Sequence, residues 1–246
     1  KSKIIKPGKN AVVRDQPDAA MQIIQERVRE VGASLLLEDR DYGIDDRRQA
    51  VGGQLISIRG LHATYEDVLL SLFGPYAAHA AAAAVAALEA ELARPLDDEA
   101  LREAFAAASS PGRLEIVGRH PLVVIDGAHN PAGAAALVEA LEDSFTWDRM
   151  LLVLGVSKDK DIPGVVEPLA PLAARVYAAH YEFHDRSAAP EQVAEVALAA
   201  GADSVETRST VAEALTAALA EAGEADLVLV TGSLFTVAEA RRALGR

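Results

Sequence analysis

The sequence contains no cysteine. Disulfides, thiolate zinc sites and cysteine nucleophiles are excluded together, and the composition suits a reducing compartment. Aromatic residues amount to only 4%, so the core has to be built from small and aliphatic side chains. No apolar run reaches the roughly 18 residues that a membrane-spanning helix needs. Residues 1–6 carry basic side chains without the apolar stretch of a signal peptide behind them. Basic residues are in the minority: 24 Lys and Arg stand against 37 Asp and Glu, a formal net charge of −13. Such a surface repels a phosphate backbone, which disfavours nucleic-acid binding. The expectation is a soluble, cytoplasmic protein that engages neither nucleic acid nor membrane.

What is present is apolar. Half of the 246 residues are hydrophobic, mostly alanine and leucine, enough for one large domain or two small ones. Residues 11–13 read as a short strand, 18–31 as a helix with apolar positions at Ala20, Ile23, Ile24 and Val28, and 34–37 as a second strand. Residues 48–60 change to strand–turn–strand around Val51-Gly52-Gly53-Gln54, and 68–73 read as a further strand before Gly74-Pro75. Residues 77–93 are nearly all alanine, the residue of highest helix propensity, and predict a closely packed helix. Pro95-Leu96-Asp97-Asp98-Glu99 opens another helix, running to about residue 107, with acidic side chains in its first turn. Ser109-Ser110-Pro111-Gly112 then breaks the chain and sets a domain boundary, 1–109 against 110–246.

Beyond it the alternation is regular. Strands are predicted at 122–125, 150–154, 175–179, 204–206 and 227–230, and helices at 131–141, 162–172 (interrupted by proline), 191–200, 211–222 and 236–244. Continuous apolar strands between helices predict an α/β fold, a doubly wound and mostly parallel sheet covered on both faces, whose ligands gather at the carboxyl ends of its strands.

Two clusters carry chemistry. Leu122-Val123-Val124-Ile125 delivers Asp126-Gly127-Ala128-His129-Asn130-Pro131 to that carboxyl edge. Asp126 can accept from ribose hydroxyls, His129 can donate to a phosphate, Asn130 can cap the next helix, and Pro131 suits its first position. The alternative, that Asp126 and Asn130 only shape a turn, stays open at this point. Just upstream, Ser110-Pro111-Gly112-Arg113-Leu114-Glu115 places an arginine whose fork can meet a phosphate or an adenine-proximal group, or simply lie solvated. His62, His79, His120, His180 and His184 lack metal-ligand spacing and read as surface or structural residues.

Together these clusters resemble the folylpolyglutamate synthase and dihydrofolate synthase family of the Mur ligase superfamily, at the entry to its carboxy-terminal domain. Ile4-Ile5-Lys6-Pro7-Gly8, Ser157-Lys158-Asp159-Lys160-Asp161 and Thr231-Gly232-Ser233-Leu234-Phe235 are similar to further family segments, in the expected order. The resemblance implies a partial Mur-ligase-type central ATPase domain over 1–109 and a Rossmann-like domain over 110–246. It implies an enzyme using ATP and Mg2+ to convert a carboxylate of folate or dihydropteroate into an acyl phosphate. The amine of L-glutamate then attacks, giving an amide, ADP and phosphate. By resemblance Arg113 and Asp126 hold the nucleotide, and His129 stands near its phosphates. Ser233 places the incoming glutamate, so that His129 and Ser233 are the catalytic candidates. Lys1 falls where the family has a metal-associated, often carbamylated lysine, although Lys3 occupies a usual glycine. The family implies a monomer.

Two departures bear on activity. The sequence has no G-x-x-x-x-G-K-[ST] or G-T-N-G-K-G-S segment to cradle phosphates with backbone N–H groups. The expectation is therefore that it begins inside a longer protein and that the 246 residues alone are inactive. Ala77 and Ala80 stand where the family usually has glutamine and an adenine-contacting asparagine. The rival reading is a non-catalytic Rossmann-like binding or assembly domain; a third is ligation of another amino acid to another carboxylate, as in cell-wall precursor synthesis. In a full-length protein Asp126→Ala is expected to weaken nucleotide use far more than folding.

Overall fold

Unit by unit, the pattern of apolar residues turns into two separately cored bodies. The computed structural model describes residues 2–245, the side chain of His184 excepted, and the chain divides into Lys1–Ser109 and Ser110–Arg246. In the first unit β1 (Asn10–Val13) and β2 (Ser34–Leu37) pair in parallel across the crossover helix α1 (Asp18–Val31). That helix stops at Gly32, whose φ of 60° is left-handed, a conformation glycine adopts without a Cβ clash. β3 (Gly43–Ala50), β4 (Gly53–Arg59) and β5 (Thr64–Leu70) form an antiparallel sheet.

The alanine run becomes α2 (Pro75–Leu92), which buries Ala77, Ala78, Ala81, Ala82, Val85, Ala86 and Glu89 along one face. Methyl-sized side chains let this helix approach β1, β3 and β4 closely, and the larger core groups come from Tyr42, just before β3, and from the strands: Ile56, Ile58, Tyr65, Val68 and Leu70. α3 (Asp98–Ala106) begins where the acidic turn predicts, with the Asp97 side chain accepting from Ala100 N at 2.9 Å. Glu89 is fully buried; its carboxylate accepts from Leu61 N, His62 N and the Tyr65 hydroxyl at 2.5, 3.0 and 2.6 Å and so pins the β4–β5 turn to the helix. His79 makes a 2.7 Å contact with Glu38 through Nδ1, a structural pairing.

The second unit holds a six-stranded sheet. β6 (Glu115–Arg119) pairs antiparallel with β7 (Leu122–Ile125). α4 (Pro131–Ser144), β8 (Met150–Leu154), α5 (Ile162–Val166), β9 (Ala173–Ala179), α6 (Pro190–Ala199), β10 (Val205–Arg208), α7 (Val211–Glu221), β11 (Leu227–Thr231) and α8 (Leu234–Ala243) follow. The strand order is β10-β9-β8-β11-β7-β6, parallel except for β6. Every residue of β8 and β11 is buried, as strands covered on both faces require. One face packs Val123, Ile125, Leu151, Val153, Val228 and Val230 against Val211, Leu215, Val237 and Ala240.

Two elements differ from the sequence pattern. The strand read at 68–73 lies earlier, at Thr64–Leu70. The helix read at 162–172 is interrupted at its prolines, as the sequence indicates. Five residues of α5 are followed by a separate 3-10 turn, Ala170–Leu172, because Pro168 and Pro171 remove backbone donors and clash with the preceding turn. β6 has no apolar alternation to announce it: Glu115 and Arg119 flank the strand, and its register shifts between Ile116 and Gly118.

Candidate functional site

Inserting β11 between β7 and β8 reverses the strand order, and the loops leaving these three strands meet at the carboxyl edge where such sheets take ligands. Gly155 N donates to Thr231 O at 3.2 Å, Thr236 Oγ1 to Gly155 O at 2.7 Å, and Asp126 N to Val230 O at 3.0 Å.

Arg113 is presented by a tight turn. Its N–H donates to Ser110 O at 3.0 Å; Pro111 precedes Gly112, whose φ of 70° is positive, the residues a type II turn calls for. Glu115 holds this turn by accepting from Gly112 N at 2.7 Å, while its other oxygen pairs with Arg241. The Arg113 side chain is exposed, with Nη1 donating to Gly112 O at 3.2 Å.

Asp126 is 5% exposed. Its Oδ2 accepts from Leu114 N and its Oδ1 from Ala128 N, each at 2.8 Å. The carboxylate therefore ties the arginine turn to the end of β7, and each oxygen keeps lone-pair capacity for a further donor. Burial pushes its pKa above the ordinary value, against the opposing pull of the two backbone N–H groups, Arg113 and His129.

His129 Nδ1 lies 2.8 Å from Gly127 O. A carbonyl can only accept, so Nδ1 carries the proton. In the neutral ring Nε2 is then an acceptor, and it donates to a phosphate only when the imidazole is protonated. Asn130 Oδ1 accepts from Gly133 N at 2.8 Å as the cap of α4, with Pro131 at the helix start. Ser233 caps α8, its Oγ accepting from Phe235 N at 3.2 Å, and is 3% exposed.

On the β8 side Lys158 and Arg186 pair with Asp185 and Asp159 at 3.6 and 2.8 Å. Ser157 Oγ bonds the buried Tyr181 hydroxyl at 2.7 Å. The second unit thus brings Arg113, Asp126, His129 and Ser233 to one sheet edge. Lys1 lies outside the described residues. Among the described residues no group of three or more His, Asp or Glu side chains is arranged to hold a metal, and no helix is long and apolar enough to cross a membrane. The sequence pattern passed over the work of Glu115. The glutamate of P-G-R-L-E was the available signal.

A family profile described as "Mur ligase, glutamate ligase domain" matches residues 112–234, which defines the second unit as a domain of the Mur ligase type. The chain is 35% identical to the dihydrofolate synthase/folylpolyglutamate synthase of Mycobacterium tuberculosis, over 98% of this chain and 53% of that protein. It superposes on the M. tuberculosis folylpolyglutamate synthase solved with ADP with a TM-score of 0.91 at 34% identity, covering 96% of this chain and 55% of that one. For Escherichia coli FolC, solved with DHPP and ADP, the TM-score is 0.84 at 30% identity, covering 99% and 55%. The chain belongs to the folylpolyglutamate synthase/dihydrofolate synthase family of Mur ligases. It spans about half the length of the relatives it matches.

Proposed function

We propose that this chain contributes the nucleotide- and glutamate-facing part of an ATP-dependent ligase that adds L-glutamate to a reduced folate, and to dihydropteroate, through an acyl phosphate. The observation that supports it most is the gathering of Arg113, Asp126, His129 and Ser233 at one sheet edge, in a chain whose relatives carry this name.

In this reading the γ-phosphoryl group passes from ATP to the folate carboxylate and ADP leaves. The glutamate amine then attacks the acyl carbon, phosphate departs with the bonding pair, and the amine loses a proton. The protein's task is to orient the reactants and to stabilise charge on phosphate oxygens. Arg113 supplies a fixed cation beside the nucleotide. Asp126 offers its remaining lone pairs to ribose. His129 meets the phosphates through Nε2, and the Ser233 hydroxyl donates to a carboxylate of the incoming glutamate. Mg2+ supplies charge neutralisation in such chemistry, but the described residues do not form a site for it, and no step is assigned to it. The first unit, 1–109, is read as part of the central ATPase domain without its phosphate loop. The protein works as a cytoplasmic monomer.

One set of observations favours a second reading, a binding or assembly domain without ligase activity: the 246 residues contain no G-x-x-x-x-G-K-[ST] segment, and Ala77 and Ala80 replace amide side chains. The test is ATP-dependent incorporation of labelled glutamate into tetrahydrofolate and dihydropteroate. The 246-residue chain gives none, whereas the same residues joined to a family phosphate-loop segment give turnover that Arg113→Ala reduces. Turnover by the 246 residues alone contradicts the proposed division of the site. A joined protein that binds ADP but never ligates establishes the second reading.

A further inference from the structure

Next to the acidic Asp126 and beside the basic Arg113 lies a residue that carries no side chain, Gly127. Gly127 N donates to Gly112 O at 2.8 Å, and with the bond from Leu114 N to Asp126 it fastens the arginine turn to the end of β7 at two adjacent residues. A Cβ placed on Gly127 would stand 2.5 Å from Arg113 Nη1 and 3.1 Å from Leu234 Cγ, and would overlap Leu234 Cδ2. These nearest atoms are the ends of two side chains, and none is backbone. Gly127 is also not among the residues of positive φ, so its backbone conformation does not call for glycine. Gly112 and Gly232 differ, with φ of 70° and 102°, and a Cβ on Gly232 would meet Gly155 O at 2.7 Å. At 112 and 232 the chain conformation needs glycine; at 127 it does not.

We propose that Gly127 is a positioning residue for Arg113. The space left by its missing side chain is the seat in which the guanidinium lies beside Leu234, and filling that seat moves the arginine off a nucleoside diphosphate or triphosphate. This rests on the reading of Arg113 as a nucleotide contact. Leu234 is 48% exposed, a large apolar side chain left at the surface beside a charged one. Its methyl groups form the second wall of the seat. A guanidinium recognises phosphate through the direction of its N–H groups, so displacement by a methyl group costs recognition even though the charge remains.

The experiment uses the 246-residue chain with ADP as the probe, following the Arg113 Nε–Hε resonance by NMR. Gly127→Ala should leave the unfolding midpoint close to that of wild type, since the atoms that its Cβ meets belong to side chains that can move and not to backbone. In the free protein it should shift the Arg113 resonance. It should weaken ADP binding about tenfold, as expected for loss of one hydrogen bond to a charged group. Arg113→Ala should weaken binding equally, and the double variant no further. An unshifted Arg113 resonance in Gly127→Ala overturns the proposal, as does a full extra loss in the double variant. If Gly127→Ala lowers stability, Gly127→Ala with Leu234→Ala removes the overlap with Leu234 and leaves only the arginine displaced; wild-type ADP affinity in that variant also overturns it. ADP binding unchanged by Arg113→Ala removes instead the nucleotide reading of Arg113, and the resonance of the free protein then judges the seat alone.

Discussion

Leu114 donates its backbone N–H to Asp126 Oδ2 at 2.8 Å while holding a φ of +43°. A branched side chain in the left-handed region is strained by about 1–3 kcal/mol and persists because surrounding contacts fix it. The carboxylate is one such contact, and the Leu114 side chain is itself buried. Asp126 therefore shapes the turn that carries Arg113, whatever it also offers to a ribose.

Asp126→Ala therefore carries a folding cost beside the expected loss of nucleotide use. The substitution strands the N–H groups of Leu114 and Ala128, both buried, at about 1–3 kcal/mol for each group that water does not reach. Asp126→Asn keeps one acceptor oxygen and should fall between. Urea unfolding followed by circular dichroism measures it, and a wild-type midpoint for Asp126→Ala would show that the two bonds carry no stability.

Asp126 and Asp226 respond to acid with opposite signs. Burial raises Asp126 above its ordinary 3.8, so the folded state holds its proton more tightly than the unfolded chain. Its contribution is fully present below about 3.8 and is lost as pH rises through the folded-state value. Asp226 is lowered from 3.8, chiefly by its hydrogen bond from Arg149 at 2.7 Å. Its contribution is present above 3.8 and is lost as pH falls through the folded-state value. Unfolding midpoints of wild type, Asp126→Asn and Asp226→Asn between pH 2.5 and 7 (roughly the range over which carboxylates titrate) separate the two. The stability advantage of wild type over Asp226→Asn should shrink toward low pH, and its advantage over Asp126→Asn should grow. Parallel profiles for both variants contradict the assignment.

Glu89 gives the first unit its own test. Its carboxylate takes three donors in a fully buried position. Glu89→Ala leaves two backbone N–H groups and a hydroxyl without that acceptor, at about 1–3 kcal/mol for each one buried. Glu89→Gln retains one acceptor oxygen. Burial and then the bond to Glu89 push Tyr65 up to about 12, so removing the charge in Glu89→Gln should lower the tyrosine's titration midpoint. A tyrosinate absorbance titration against Tyr65→Phe identifies the signal, and an unmoved midpoint excludes Glu89 as a cause.

Much of this architecture was legible because buried parallel strands such as 150–154 and 227–230 are unbroken apolar runs, as burial on both faces requires. Asn130-Pro131 and Asp97 announced their helices through local chemistry that tertiary packing did not alter. β6 was not legible: an antiparallel edge strand with a register shift and charged ends has no two-residue period to read. The separation of α5 from the turn after it was legible through Pro168 and Pro171, whose missing N–H groups interrupt the helix. At the site, sequence supplies residue types and order. It does not supply burial, so it could not distinguish an aspartate open to solvent from one bound to two backbone N–H groups, nor show that Gly127 leaves room for Arg113.

Ala77 and Ala80 part company in the structure. Ala77 is 6% exposed in the alanine face of α2, whereas Ala80 is exposed. Restoring the amide side chains usual in the family should therefore have unequal effects. Ala77→Gln pushes a longer polar chain into a packed face, and overpacking of this kind costs about 1–3 kcal/mol. Ala80→Asn meets no packing barrier and pays only the lower helix propensity of asparagine, about 0.5 kcal/mol. If residue 80 faces the base, as the family resemblance implies, Ala80→Asn should tighten ADP binding while the unfolding midpoint barely moves, and it should do less for a pyrimidine diphosphate. Equal gains for both nucleotides, or none for either, show that position 80 does not read the base in this chain.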